Sequence, residues 1–369
     1  MKRSKIRISI ICMCAALILG VCGCSQKAQN EAPGTNEPSG AAAQQEQEEQ
    51  EALPEEEGIT VGVAQCTTQE ERWRNDANAL QKKADELGLS LQMVDAANDT
   101  ATQATQIENL VSSGVDVILV SPTDSDAITP ALAQAKAAGI PVVVWGRQAN
   151  TADQDFFIIN DFVETGKKMA QTALEACSAG NVVLIGGDKS STVPTEMTEG
   201  MMSVLQPRLD DGSMKLVFEQ YITNWMPDGA MSAMENALTQ LGNGVDLVLC
   251  HNDGMAGGAI QALEGQGLAG TVPVVGMDAE IAALQRIVEG KQYSTVIFDH
   301  EGTADICLRA AQALAKGEPL DSLAVKKTTI EGAEIPTGEI PTIMITNENI
   351  MEVCVDSGIH TKEEIYLNA

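Results

Sequence analysis

Eleven aromatic residues occur in the 369-residue chain, and five of them stand at or just after the end of an apolar run: Trp73, Trp145, Phe162, Trp225 and Phe298. Arg72, Arg147, Asp161, Asn252, Asp253 and Asp278 gather in the same places. Flat rings beside guanidinium, amide and carboxylate groups suit one ligand chemistry. A pyranose presents apolar C–H faces that pack on aromatic rings. Its hydroxyls each donate and accept, and planar charged groups grip neighbouring pairs of them in bidentate fashion. Any one of these residues alone reads as a helix cap or a surface ion pair. Their coincidence at equivalent places is the signal.

Other reactive arrangements are weak. Gly265, Gly267 and Gly270 fit a G-x-G-x-x-G spacing, but that fingerprint holds a pyrophosphate only between a strand and the helix it opens. Here it follows the helical stretch 254–264 and reads as that helix's end and a turn. His251, His300 and His360 lie far apart with no metal-ligand spacing, so neither metal nor cofactor is expected. His251 adjoins Asn252; a structural role is expected for it, with a place on a pocket rim as the alternative. Asp161 and Asp278 fall on separate runs with no second carboxyl beside either, which does not suit paired-carboxylate glycoside hydrolysis. A binding protein is expected, not an enzyme.

The N-terminus carries a different chemistry. Lys2, Arg3, Lys5 and Arg7 precede an apolar run from Ile8 to about Leu19, which is too short to span a bilayer. Val21-Cys22-Gly23-Cys24 closes it as a lipobox. Residues 1–23 are thus expected to be a lipoprotein signal peptide, and Cys24 the lipidated first residue of the mature chain. An ordinary secretory leader cut elsewhere is the alternative. The segment to residue 57 holds nine Glu and one Lys after Cys24 and, among large aliphatics, only Leu53. It cannot bury enough apolar surface to offset its ordering entropy, so a disordered acidic linker is expected, reaching roughly 30 Å as a coil. Two acyl chains hold a membrane firmly where one does not.

Setting aside the leader's +4 and the linker's −8 leaves −25 of the formal −29 on the rest, a surface that repels phosphate backbones. Nucleic-acid binding is excluded on that ground. Cys66, Cys177, Cys250, Cys307 and Cys354 are odd in number and widely spaced in apolar contexts, so buried free thiols are expected. One bridge remains an open alternative.

The elements that must position the rings and charges alternate along the chain. Apolar runs of strand length recur at Ile59–Gln65, Leu89–Val94, Val115–Ser121, Pro141–Trp145, Phe156–Asn160, Asn181–Ile185, Met214–Ile222, Val245–Cys250, Pro273–Met277 and Tyr293–Phe298. Helical periods fill stretches such as 70–87, 101–113, 126–138, 163–178, 227–242 and 254–264. Runs this continuously Val-, Ile- and Leu-rich mark strands covered on both faces, and alternation with helices implies βαβ units and parallel sheets. Ten strands exceed one comfortable sheet. The predicted fold is α/β, with two doubly wound lobes. In such sheets ligands bind beyond the carboxyl ends of the strands.

The residues also carry a family resemblance over 59–369. ERW at 71–73, QIENLVSSGVDV at 106–117, MENAL at 234–238 and NDGMAGGAIQALEGQGLAG at 252–270 resemble the periplasmic sugar-binding family, the type I solute-binding proteins of ABC transporters, and within it the xylose-binding branch. VVGMDAE at 274–280 and the RIVEG-x₄-TV run from Arg286 add to this. The resemblance implies two Rossmann-like lobes, 58–160 with 298–338 and 161–297 with 339–369. Three hinge crossings would lie near 160–162, 296–299 and 338–342. By motif position it implies sugar contacts at Arg72, Arg147, Asp161, Trp225, Asn252 and Asp278, with Trp73 as a neighbour. It also implies a monomer working with a membrane permease and its ATPase; a receptor feeding chemotaxis or a sensor kinase is the alternative. Three positions depart from the pattern. Gly146 stands where it has Asp, Phe162 where it has Asn, and Phe298 where it has Lys. Cys66 and Thr67 also replace acidic residues after the first strand. Phe162 and Phe298 are therefore expected as apolar pocket positions, and an altered sugar preference with them.

Overall fold

The computed structural model describes residues 58–367. The leader, Cys24 and the acidic linker, with the expectations placed on them, lie outside the described residues.

The chain first lays down β1 (Thr60–Gln65), α1 (Glu71–Leu87), β2 (Ser90–Asp95), α2 (Thr100–Ser113), β3 (Val117–Val120), α3 (Thr129–Ala137), β4 (Val142–Trp145) and β5 (Phe156–Ile159). It then builds α4 (Phe162–Ala176), β6 (Gly180–Gly186), α5 (Val193–Asp210), β7 (Met214–Tyr221), α6 (Pro227–Leu241), β8 (Leu247–Cys250), α7 (Asp253–Glu264), β9 (Val274–Val275), α8 (Ile281–Val288) and β10 (Ser294–Phe298). Last come α9 (His300–Lys316), β11 (Lys326–Ile330), β12 (Ala333–Glu339), β13 (Thr342–Thr346), a π-type turn at Met351–Asp356, and α10 (Lys362–Ile365).

Two sheets result. The first runs β11-β12-β5-β4-β3-β1-β2 and the second β13-β10-β9-β8-β6-β7. The chain passes between them three times, at Asn160–Asp161, at Asp299 and at Ile340–Pro341. Asn160 Nδ2 donates to the Ile340 carbonyl at 3.2 Å, tying two of the crossings together. The pairings are parallel as the sequence implies, with two corrections. β11–β12 and β10–β13 are antiparallel. β11 and β12 form a hairpin, whose short turn only antiparallel strands can use, while β13 reaches the edge beside β10 straight from the Ile340–Pro341 crossing with no helix before it.

The central strands have no wet face. Val117–Val120 and Val142–Trp145 are buried at every position. Helices cover them with one stripe each; α1 turns Arg72, Trp73, Asp76, Ala79, Leu80 and Ala84 inward, at the spacing of one helical face. Four cysteines, Cys66, Cys250, Cys307 and Cys354, are buried free thiols, and Cys177 is half-buried. Each lobe reverses strand order beside its first strand, at β1/β3 and at β6/β8. Such switch points open a crevice at the carboxyl ends of the strands.

Candidate functional site

Every loop that meets between the lobes leaves the carboxyl end of a parallel strand. Glu70, Arg72 and Trp73 follow β1, and Gly146 and Arg147 follow β4. Val193 follows β6, Trp225 follows β7, Asn252 follows β8, and Met277 and Asp278 follow β9. These ten residues line one narrow pocket between the lobes, with a free volume of about 20 Å³, room for about one water. The lobes touch beside it: the Ser125 N–H donates to the Ser190 carbonyl at 2.9 Å, and Ser190 Oγ donates to the Thr123 carbonyl at 3.2 Å. A larger hollow of about 520 Å³, lined by Glu175, Lys291 and Tyr293, lies at the opposite end of the second sheet. The buried charges are in the smaller one.

Arg72 is the centre of the arrangement. Its guanidinium carbon lies 4.1 Å from the Phe298 ring centroid and 4.6 Å from that of Trp73. Its Nη1 is 3.7 Å from Asp278 Oδ1, and its Nη2 donates to Asn160 Oδ1 at 3.5 Å. One side chain thus joins both lobes and a hinge crossing. Burial pushes the Asp278 carboxyl well above the usual range, and the Arg72 charge pulls it partly back. Arg72 Nε and Asp278 Oδ1 are buried without a hydrogen-bond partner among the described residues. Other buried polar atoms also lack partners, among them Asn98 Nδ2 and Gln106 Oε1, but these two belong to residues that line the pocket, where a polar ligand would satisfy them.

Backbone geometry marks the same place. Trp225 has φ 57° and Asp278 φ 107°, both disfavoured for residues with a Cβ. Strain of about 1–3 kcal/mol at such positions clusters at functional sites. Trp225 lies flat on Gly187, where an added Cβ would come within 2.3 Å of the indole. Gly146, at φ 72°, approaches the Trp73 ring, where a Cβ would sit 3.1 Å away. The departure at Gly146 thus has a packing reason. Beneath Trp225, His251 is fully buried and its Nδ1 accepts the Gly187 N–H at 3.2 Å. Burial lowers its pKa to about 3, with Lys189 adding to the effect, so it is a neutral support.

Six sequence candidates come together on the cavity wall: Arg72, Trp73, Arg147, Trp225, Asn252 and Asp278. Arg147 lies with its guanidinium carbon 5.2 Å from the Trp73 ring centroid and donates to the Pro122 carbonyl. Asn252 Oδ1 caps α7 through the Met255 N–H at 2.9 Å, which leaves its amide N–H₂ for another partner. Five candidates stand off the lining. Asp161 caps α4, accepting the Glu164 N–H at 2.8 Å. Phe298 is the platform under Arg72, and Phe162 meets its ring edge-on at 6.2 Å. Trp145 belongs to the core of the first lobe. Asp253 is spent inside the second lobe on Thr295 and Gln292.

Glu70, Val193 and Met277 also line the cavity, although the sequence pattern does not mark them. Glu70 is the informative omission. Burial raises its carboxyl pKa, opposed by Arg147, the Trp73 indole and Arg72. Its position one residue before ERW was the available signal.

Known proteins share this chain's sequence and architecture. The family model described as "Periplasmic binding protein domain" matches residues 61–319. The D-xylose-binding periplasmic protein of Haemophilus influenzae is 34% identical over 84% of this chain and 92% of its own. That of Escherichia coli is 33% identical over 83% and 92%. A crystal structure of an ABC transporter solute binding protein from Clostridium phytofermentans, with β-D-glucose bound, superposes with a TM-score of 0.76 at 25% identity, covering 83% of this chain and 99% of that one. These relatives are named for binding and none for a reaction. Two α/β lobes with a shared crevice and these matches give one conclusion: the chain belongs to the periplasmic binding protein family and is a binding protein, not an enzyme.

Proposed function

We propose that this protein captures one monosaccharide between its lobes outside the cytoplasmic membrane and delivers it to an ABC permease driven by an ATPase. The observation that carries this reading is the pocket between the lobes, to which one lobe gives Arg72, Trp73 and Arg147 and the other Trp225, Asn252 and Asp278. Contacts from both lobes are complete only when the lobes are together, so ligand shifts the equilibrium toward that form. The relatives' names, D-xylose-binding, and the β-D-glucose of the structural neighbour favour an aldose in ring form. The lipobox supports attachment at Cys24, which would hold a high local concentration of binder near the permease.

The preferred sugar is expected to differ from D-xylose. Gly146 supplies no side chain, Phe298 faces Arg72 as a ring rather than an ammonium, and Val193 and Met277 add apolar wall. A hydroxyl aimed at such a wall would lose its partner, at about 1–3 kcal/mol. A deoxy or larger aldose fits better. Calorimetric titration against pentoses, hexoses and deoxyhexoses is expected to find micromolar binding, about −8 kcal/mol, by a sugar other than D-xylose. D-xylose as the tightest ligand would end the altered-specificity reading, and no binding by any aldose would end the sugar reading.

Gly187→Ala tests the Trp225 platform. The new Cβ must displace the indole, so sugar affinity is expected to fall about tenfold, in line with overpacking costs of about 1–3 kcal/mol. Unchanged affinity in the same titration would show that the ring's position is immaterial.

A further inference from the structure

Beside the cavity, two helices of opposite lobes turn their N-terminal ends toward each other. α1 belongs to the first lobe, where it packs on α9; α8 lies between β9 and β10 of the second. Neither is capped by its own cap residue: Glu70 before α1 and Glu280 before α8 make no side-chain cap bond. The cap of α8 comes from across the gap. The Ile281 N–H, first in α8, donates to the Glu71 carboxylate, with both oxygens 3.2 Å away. The Glu280 carboxyl, one residue before Ile281, adjoins this contact. Burial raises that group's pKa and the Glu71 charge adds to it, while Arg286 and the Glu71 N–H pull it back. Glu71 itself is absent from the cavity wall.

We infer that Glu71 is a closure latch, a positioning residue that caps a helix of the opposite lobe and so sets ligand affinity without touching the ligand. The inference rests on the reading of the protein as a sugar binder that works by closure. When the lobes part, Glu71 and the Ile281 N–H both return to water, so the contact favours only the closed form. A helix cap placed in this way acts on closure alone, and closure multiplies the affinity of every ligand by the same factor.

The test uses the full folded protein with Glu71→Ala and Glu71→Gln. Each is titrated with every sugar the wild type binds, and the sugar-free proteins are compared by small-angle X-ray scattering. For Glu71→Ala, Kd is expected to rise about fivefold to tenfold, the range of a lost cap, and by one common factor for all sugars. The radius of gyration of the sugar-free protein is expected to grow. Glu71→Gln keeps an acceptor and is expected to lose less; it decides the matter should the alanine variant unfold. A loss that differs more than about threefold between sugars would make Glu71 a ligand contact and overturn the latch, as would unchanged affinity. If the wild type binds no sugar, the sugar reading falls by itself. Scattering then decides the latch, and an unchanged radius overturns it.

Discussion

Replacing Arg72 with methionine is expected to weaken sugar binding by a hundredfold or more while leaving the two lobes folded. Three losses add up. The guanidinium's free Nε and its Nη groups are charged donors on the cavity wall, and a charge-assisted hydrogen bond is worth about 1.5–3 kcal/mol. Asp278 loses the cation 3.7 Å away that holds part of its acidity against burial. Burial then acts on its carboxyl with less to oppose it. Finally, the group that joins Asp278 of one lobe, Trp73 of the other and Asn160 at a crossing disappears. Together about 3 kcal/mol or more is at stake, which corresponds to the hundredfold. Methionine keeps most of the volume between the Phe298 and Trp73 rings, so the unfolding midpoint should move little. Calorimetric titration reads the affinity, with Lys82→Met as a control; Lys82 is exposed and pairs with Glu301 on the surface. An Arg72 variant that binds as well as the control would remove the residue from the site.

Trp225→Ala is expected to cost about 2–4 kcal/mol of affinity, at least thirtyfold. The indole is 6% exposed, held between the cavity and the Gly187 backbone, with the His251 ring centroid 6.3 Å away. A sugar's C–H face would bury against its free side. Alanine removes that surface and keeps the strained φ of 57°, so the change offers no relief of the backbone. Trp225→Phe should recover part of the loss because it keeps a flat face. Titration of the three proteins with one sugar checks the order wild type, phenylalanine, alanine; equal affinities would place the sugar elsewhere.

These two residues were legible in the sequence because polar and aromatic side chains at the ends of strongly apolar runs are rare. The central strands among β1 to β10 were legible for the matching reason, since Val- and Ile-rich runs buried on both faces have little else to be; the edge strands β2 and β7 showed as apolar runs despite their exposure. β11 and β12 were not. Lys326–Ile330 is mostly exposed at a sheet edge, and Ala333–Glu339 carries Pro336 and Gly338, so neither shows the buried-strand pattern. Asp161 illustrates an ambiguity that sequence cannot remove: an Asp that caps a helix and one that grips a hydroxyl look alike at a strand end. Glu70 shows the reverse. An acid at a helix start reads as an ordinary response to the helix dipole, and only the approach of the second lobe makes it a cavity wall. Phe298 was legible as an apolar departure, but its service as a platform for Arg72 depends on the fold bringing β10 beside α1.

The most direct measurement is a crystal structure of the protein grown with the tightest-binding aldose from the titration panel. A single sugar ring is expected between the lobes, with one face on Trp225 and with hydroxyls within hydrogen-bond distance of Arg72, Asn252 and Asp278. A sugar bound outside this cavity, or one inside it that leaves Arg72 Nε and Asp278 Oδ1 without partners, would contradict the account.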